Sequence, residues 1–151
     1  MKIVAILSDT HGLLREQVLM QLHAADVILH AGDINTSNIV ETIRSYGEAH
    51  VVQGNNDKEW AKDLPHSLRI TIEGVRFFLV HNKKDVPKAL ADVDVIVYGH
   101  SHKYAAEFVG SVLWLNPGSC GKRRFDLDIT MCNMTVDKGS IIGITKVKIE
   151  S

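Results

Sequence analysis

The first half of the chain alternates short apolar runs with segments whose apolar residues recur at helical spacing. Continuous apolar runs at residues 3–7, 27–29 and 50–52 predict parallel strands that are buried on both faces. The segment between the first two runs predicts an amphipathic helix, and a second helix is predicted to begin near Thr36 or Ser37, which are suitable N-caps. This order indicates a βαβαβ unit with right-handed crossovers.

The second half of the chain consists mostly of strand signals. The runs at 68–73 and 75–80 flank Gly74 and predict a hairpin, a short helix is predicted near 86–91, and 93–98 predicts a further buried strand. Together the elements predict an α/β fold in a single domain over residues 1–151, a four-layer α/β/β/α sandwich of two mixed β-sheets flanked by helices. Its last four strands are predicted at 104–109, 112–115, 127–136 and 140–149.

Charge and composition exclude several classes of partner. Seventeen basic and eighteen acidic residues give a net charge of −1, so the chain has no overall basic field for nucleic acid. Its apolar stretches are too short for a signal peptide or a membrane span, and Cys120 and Cys132 lack the spacing of a metal pair. We therefore expect a cytoplasmic protein with reduced thiols and no membrane partner. Exposed strand edges near the carboxyl end can pair with a second copy of the chain, so the sequence is compatible with a homo-oligomer.

Polar residues suited to bind metal directly follow five of the predicted strands. Because the ligand crevice of an open α/β sheet lies beyond the carboxyl ends of its strands, we expect these residues to reach one rim. Each short motif alone is common in surface turns, but five coincidences of residue type with strand end are not. In chain order the residues are Asp9 and His11, Asp33, the run Asn55-Asn56-Asp57, His81, and His100 with His102.

The order of these motifs (D-x-H, G-D, G-N-x-D, H and G-H-x-H) resembles the calcineurin-like metallophosphoesterase superfamily. The short chain is similar to the small bacterial and archaeal phosphodiesterase branch of that superfamily. The resemblance covers Ile3 to about Ser119 and includes the stretch Asn116-Pro117-Gly118-Ser119. It implies a site for two metal ions in which one carboxylate, that of Asp33, bridges them. The implied ligands are Asp9, His11, Asp33 and His102 for one ion, and Asp33, Asn55, His81 and His100 for the other.

The donor set narrows the choice of metal. Imidazoles with carboxylates and one amide, without thiolate, suit two divalent transition metal ions better than calcium or magnesium. We expect manganese, with nickel, cobalt, iron and zinc as alternatives. Two such ions carry a charge of +4, and the two aspartates carry −2. The remaining charge of +2 favours a bridging hydroxide and an anionic substrate.

The resemblance implies hydrolysis of a small phosphate ester, a phosphodiester or a phosphomonoester, by attack of a metal-bound hydroxide. Asn56 and Asp57 are predicted to be the catalytic residues beside the ligands. Many family members have histidine where Asn56 stands, and that histidine is thought to help protonate the leaving group. Because an amide cannot give up a proton at neutral pH, we expect departure to rely on water, the metals or a good leaving group. Asn82 replaces the usual glycine after His81, which predicts a different turn there.

Several other features carry two readings. The alternative to an enzyme is a non-catalytic protein-binding scaffold of the same fold, similar to the retromer subunit of the superfamily. A metal-dependent nuclease is a third possibility, but the sequence lacks the basic groove that it would need. His30 is either a positioning donor or a core histidine. The basic run 118–124 is either a phosphate-attracting cluster or a solvated turn. Three further histidines, at 23, 50 and 66, follow no strand end and are expected at the surface or half buried.

Overall fold

Two five-stranded sheets form the framework of the protein. A computed structural model describes residues 1–124 and 126–150. Over these residues the strands are β1 (Lys2–Leu7), β2 (Val27–His30), β3 (Glu48–Val51), β4 (Ser67–Ile72), β5 (Val75–Val80), β6 (Val95–Val97), β7 (Ala105–Val109), β8 (Val112–Asn116), β9 (Ile129–Asp137) and β10 (Ser140–Ile149). The helices are α1 (Glu16–Ala24) and α2 (Ser37–Ser45), and short 3-10 turns lie at Glu59–Ala61 and Lys83–Asp85.

Both sheets combine parallel and antiparallel strands. The first has the order β10-β9-β1-β2-β3, in which β1, β2 and β3 are parallel and β9 and β10 are antiparallel additions. The second has the order β4-β5-β6-β8-β7, in which β5, β6 and β8 are parallel and the two edge strands are antiparallel. These sheets confirm the predicted sandwich class. The parallel β1-β2-β3 order is the one that the βαβαβ pattern predicts.

The alternation of side chains along each strand determines the layers. Val4 and Ile6 of β1 pack with Phe77 and Leu79 of β5 in the core between the two sheets. Residues of opposite parity in the first sheet, such as Leu7, pack with the apolar faces of α1 and α2 in a second core. Both helices therefore cover the outer face of the first sheet. Its central strands are buried on both faces, which explains their continuous apolar sequences.

The prediction of a helix near residues 86–91 is wrong. This segment contains one short turn, in which the N–H of Leu90 donates to the carbonyl of Pro87 at 3.2 Å. Val86 and Leu90 nevertheless pack on Phe78 and Tyr98, so an irregular segment forms the outer layer over the second sheet. The segment is too short to form a stable helix by itself, and two apolar contacts are made equally well by a turn. No helix among the described residues is long and apolar enough to cross a membrane.

Candidate metal centre

The loops after β1, β2, β3, β5 and β6 bring all seven of the expected ligands to one rim. In the first group, one ligand atom each of Asp9, His11 and His102 lies within 4.8 Å of the others, and all three residues are buried. Oδ1 of Asp9 is 3.6 Å from Nε2 of His11 and 3.4 Å from Nε2 of His102. This oxygen is fully buried and accepts no hydrogen bond. A buried carboxylate oxygen without a donor, facing two imidazole nitrogens, fits a bound cation.

The second group contains Asp33, His81 and His100, whose ligand atoms also lie within 4.8 Å of one another. Nδ1 of His81 is 2.8 Å from the carbonyl of Ala31, which fixes the proton on Nδ1 and turns the lone pair of Nε2 toward the group. The inward end of the Asn55 amide lies 3.0 Å from Nε2 of His81 and 3.2 Å from both carboxylate oxygens of Asp33. With its oxygen inward, Asn55 completes a set of metal ligands.

Asp33 lies between the two groups. Its Oδ2 is 3.2 Å from Nε2 of His81 in the second group and 3.9 Å from Nε2 of His11 in the first. Burial raises the pKa of Asp33, but hydrogen bonds to His81 and to the N–H of Asn56 outweigh it and hold the pKa below its ordinary value. A carboxylate in this position can offer an oxygen to each of two ions.

The charges in the centre favour ionised carboxylates. Burial raises the pKa of Asp9, but the imidazoles of His102 and His11 beside its carboxylate outweigh burial and lower the pKa far below its ordinary value. Burial lowers the pKa of His81, yet its hydrogen bond to Asp33 and the charge of Asp9 raise the net value above the ordinary one.

The backbone is strained where the ligands lie. Backbone hydrogen bonds from Asp9 N–H to Gly32 O (2.9 Å) and from His11 N–H to Asp33 O (3.0 Å) tie the loops after β1 and β2 together. Left-handed conformations at non-glycine residues are uncommon, persist only where the surroundings enforce them, and cluster at functional sites. Five of the seven ligands adopt them, namely Asp9 (φ 56°), His11 (47°), Asp33 (58°), His100 (74°) and His102 (65°).

Two glycines allow the loops to approach this closely. A Cβ added to Gly54 would lie 2.2 Å from Oδ1 of Asp33, and one added to Gly99 would lie 2.1 Å from Oγ of Ser8. Both positions therefore exclude every other residue type without displacement of a ligand or of its hydrogen-bond partner. The G-N and G-H motifs thus have a steric reason as well as a chemical one.

Asn56 and Asp57, the residues predicted to be catalytic, contact the loops around the ligands. The N–H and the side-chain amide of Asn56 donate to the two oxygens of Asp33 at 2.9 and 3.0 Å, which holds that carboxylate in place. The buried carboxylate of Asp57 accepts from the N–H groups of Ile34 (2.9 Å), Asn35 (2.8 Å) and Gly54 (2.9 Å). Asp57 therefore joins the loops after β2 and β3, and the structure does not bring its carboxylate among the ligand atoms.

Asp57→Ala is expected to lower the free energy of unfolding by about 3 kcal/mol, because three N–H groups, two of them buried, lose their acceptor. Asp57→Asn is expected to lower it by less, since one oxygen remains. Urea unfolding in a chelator measures both without a metal contribution. Asp63→Ala, which removes an exposed carboxylate, is the matched control and should change the free energy of unfolding by at most about 0.5 kcal/mol. Equal destabilisation by Asp57→Ala and Asp63→Ala would contradict this account.

Three polar residues behind the ligands hold the loops in position. Nδ1 of His30 accepts from the N–H of Gly32 at 3.0 Å, and burial lowers the pKa of His30 to about 4, so the ring is neutral and its Nε2 faces the hydroxyl of Thr10. His30 is therefore a buried positioning residue. Asn116 donates to Gly99 O at 3.2 Å, and the hydroxyl of Ser119 donates to Asp9 O at 2.9 Å.

Residues of the 118–124 run fit a solvated turn. Lys122, Arg123 and Arg124 are exposed, and the Arg15 guanidinium donates to the carbonyl of Gly121 at 3.2 Å. Cys120 is fully buried, and burial raises the pKa of its thiol to about 12, which makes it a structural cysteine.

Asn82 adopts an ordinary extended conformation, with φ −110°, and its Oδ1 accepts from the N–H of Lys84 at 3.0 Å. The turn after His81 therefore does not require glycine. His81 itself is buried and oriented toward the centre, so the asparagine does not disturb it.

Comparison with models of protein families shows the family to which the chain belongs. Residues 1–139 match the calcineurin-like phosphoesterase superfamily domain. The chain belongs to this superfamily. Membership supports a metal-dependent phosphoesterase, which is a hydrolase that uses divalent ions. A probable metallophosphoesterase of Mycoplasma pneumoniae is 32% identical to this family member, and the match covers 94% of each chain. A phosphodiesterase of Methanocaldococcus jannaschii is 28% identical over 78% of this chain and 83% of its own.

Solved structures of two other proteins superpose on almost the whole of this chain. Vps29 of Chaetomium thermophilum superposes with a TM-score of 0.81 at 18% identity, over 99% of this chain and 97% of that one. An archaeal phosphodiesterase superposes with a TM-score of 0.75 at 22% identity, over 97% of this chain and 99% of that one. At these identities, the two structures establish the architecture alone.

Proposed function

We propose that this protein is a dinuclear phosphodiesterase that hydrolyses small phosphate esters in the cytoplasm. The observation that carries the proposal is the pair of ligand groups, Asp9 with His11 and His102, and Asp33 with His81 and His100, which Asp33 joins. The family supports divalent ions, and manganese is the ion that we propose from the donor set. The phosphodiesterase among the relatives supports a diester substrate.

The residues of the centre would hold and orient two ions. When bound, such ions stabilise the charge of a phosphate in line for displacement and lower the pKa of a coordinated water. Asp33 would bridge them, and the two hydrogen bonds from Asn56 keep its oxygens in place. His81 is oriented by Ala31, in the way that ligating histidines are held by a carbonyl behind the ring. Two aspartates leave a net positive charge with two ions present, which favours binding of an anionic phosphate.

A protein-binding scaffold of the same fold is the second candidate, because Vps29 superposes well on this chain. All seven ligand positions are filled by residue types that bind metal, and buried Oδ1 of Asp9 lacks a donor. A scaffold has no need of a buried, unsatisfied carboxylate, since such a group reduces stability. These observations favour the enzyme.

Hydrolysis of bis(4-nitrophenyl) phosphate tests the proposed function. We expect no turnover after chelation and full recovery when two equivalents of manganese are added per chain. 4-Nitrophenyl phosphate serves as the monoester comparison, and we expect slower turnover of it. If protein that retains two manganese ions hydrolyses no diester in a panel of aryl diesters and cyclic nucleotides, the scaffold becomes the better account.

A further inference from the structure

A cavity of about 500 Å³ opens beside the second ligand group. Asn55 and His81 form the side that it shares with the metal centre, and His66, Ser67 and Asp85 line its other walls. A phosphate ester bound at the second ligand group would have room for one of its substituents in this cavity. The cavity is therefore a candidate site for the alcohol part of a diester.

The backbone fixes His66 between two of the loops that carry ligands. The N–H of Gln53 donates to the carbonyl of Pro65 at 2.9 Å, which joins residue 65 to the loop that carries Asn55. On the other side, Ser67 pairs with Val80, the residue before His81. His66 thus lies one position beyond the end of the β4–β5 ladder, next to both loops.

The register of β4 and β5 also determines the face on which His66 lies. Leu68 and Leu79 are paired, and both pack in the core between the sheets. Because side chains alternate with a period of two, the positions two residues beyond this pair, 66 and 81, lie on the same face of the sheet. His66 and His81 consequently both line the cavity.

We propose that His66 is the catalytic residue that protonates the leaving group, in a cavity that holds the departing alcohol; the proposal rests on the proposed function. A water oxygen forms a bond to phosphorus and releases one proton to solvent as the bond to the ester oxygen breaks. The electron pair of the broken bond remains on the ester oxygen, which takes the proton of the His66 imidazolium and leaves as an alcohol. The neutral imidazole regains a proton from solvent.

The other polar groups in and near the cavity are less suited to this step. Nε2 of His81 faces the ligand group, and Asn56, which stands where many family members have histidine, is bound to Asp33. The carboxyl group of Asp85 also lines the cavity. Histidine is the side chain best suited to give and regain a proton near neutral pH, and His66 is exposed to solvent for reprotonation.

Two symmetric diesters test the proposal, bis(4-nitrophenyl) phosphate with a good leaving group and diphenyl phosphate with a poor one. We expect His66→Gln to lower kcat for diphenyl phosphate by about a hundredfold, the contribution typical of general acid catalysis, and kcat for the nitrophenyl ester by less than about threefold. His23→Gln, which changes an exposed histidine on α1, is the matched control and should leave both rates unchanged.

The outcomes separate this proposal from the function on which it rests. Metal content should equal two ions per chain in wild type and in His66→Gln, which shows that the centre is intact. Equal loss on both esters, or no loss on either, would overturn the role of His66. A wild-type rate that depends as steeply on the leaving group as that of His66→Gln would overturn it as well. Absence of turnover by wild type with two bound ions would instead contradict the proposed function, and the role of His66 with it.

Discussion

Asp33→Asn is expected to remove both metal ions and to lower kcat/KM for bis(4-nitrophenyl) phosphate by more than about a hundredfold. Loss of a residue that only orients a ligand typically costs 10- to 100-fold in metal affinity or activity, and Asp33 is proposed to be a ligand of both ions. Its Oδ2 lies 3.2 Å from Nε2 of His81 and 3.9 Å from Nε2 of His11, so one substitution affects both groups. An amide has one oxygen and no charge with which to bridge two cations.

Metal analysis after desalting and the diesterase assay, performed on the same preparations, measure this effect. His23→Ala removes an exposed histidine outside the centre and should retain two ions and full activity. Circular dichroism establishes that Asp33→Asn is folded. If Asp33→Asn and His23→Ala lose activity to the same extent, or if Asp33→Asn retains both ions, the assignment of ligands is wrong.

Lowering the pH from 7 to 5 is expected to weaken binding of each ion by about 10²- to 10³-fold, because each ligand group contains two imidazoles that must be neutral to bind. The direction follows from proton competition, since protons displace metal below the histidine pKa. The raised pKa of His81 makes this competition begin at a higher pH than for an ordinary histidine. Asp9 and Asp33 have lowered pKa values and stay ionised, so the carboxylates contribute little to the change.

Manganese titration monitored by calorimetry at pH 5, 6, 7 and 8 measures this dependence. Affinity should change much less between pH 7 and 8 than between pH 7 and 5, and the smaller change serves as the internal reference. A circular dichroism spectrum at pH 5 excludes unfolding as the cause of the loss. Affinity that stays constant down to pH 5 would contradict a site in which histidines supply half of the ligands.

Local pattern predicts much of this fold because its strands are buried in recognisable ways. The runs at 75–80 and 140–149 coincide with β5 and β10, and the parallel β1-β2-β3 order follows from alternating strand and helix signals. The prediction of a helix near 86–91 is wrong because the local pattern there does not distinguish a helix from a turn. Its two apolar residues satisfy a turn as well as a helix, and only packing against Phe78 and Tyr98 decides between them.

The candidate site is predictable to the extent that its residues occupy strand ends. His81 directly follows β5, and Asp9 and Asp33 lie two and three residues beyond the ends of β1 and β2, so the sequence indicates all three. The contacts of Asp57 are different, since its carboxylate binds N–H groups that lie 22 and 23 residues earlier in the chain, which no local pattern shows. His66 reaches the cavity only through the register of β4 on β5. Long-range pairing, rather than residue type, places these two residues.

Anomalous scattering from crystals grown with excess manganese tests most directly whether the seven ligands bind two ions. Two manganese peaks are expected, one among Asp9, His11 and His102 and one among Asn55, His81 and His100, with the carboxylate of Asp33 in contact with both. An empty rim, a single ion, or side chains that point away from the peaks would contradict it.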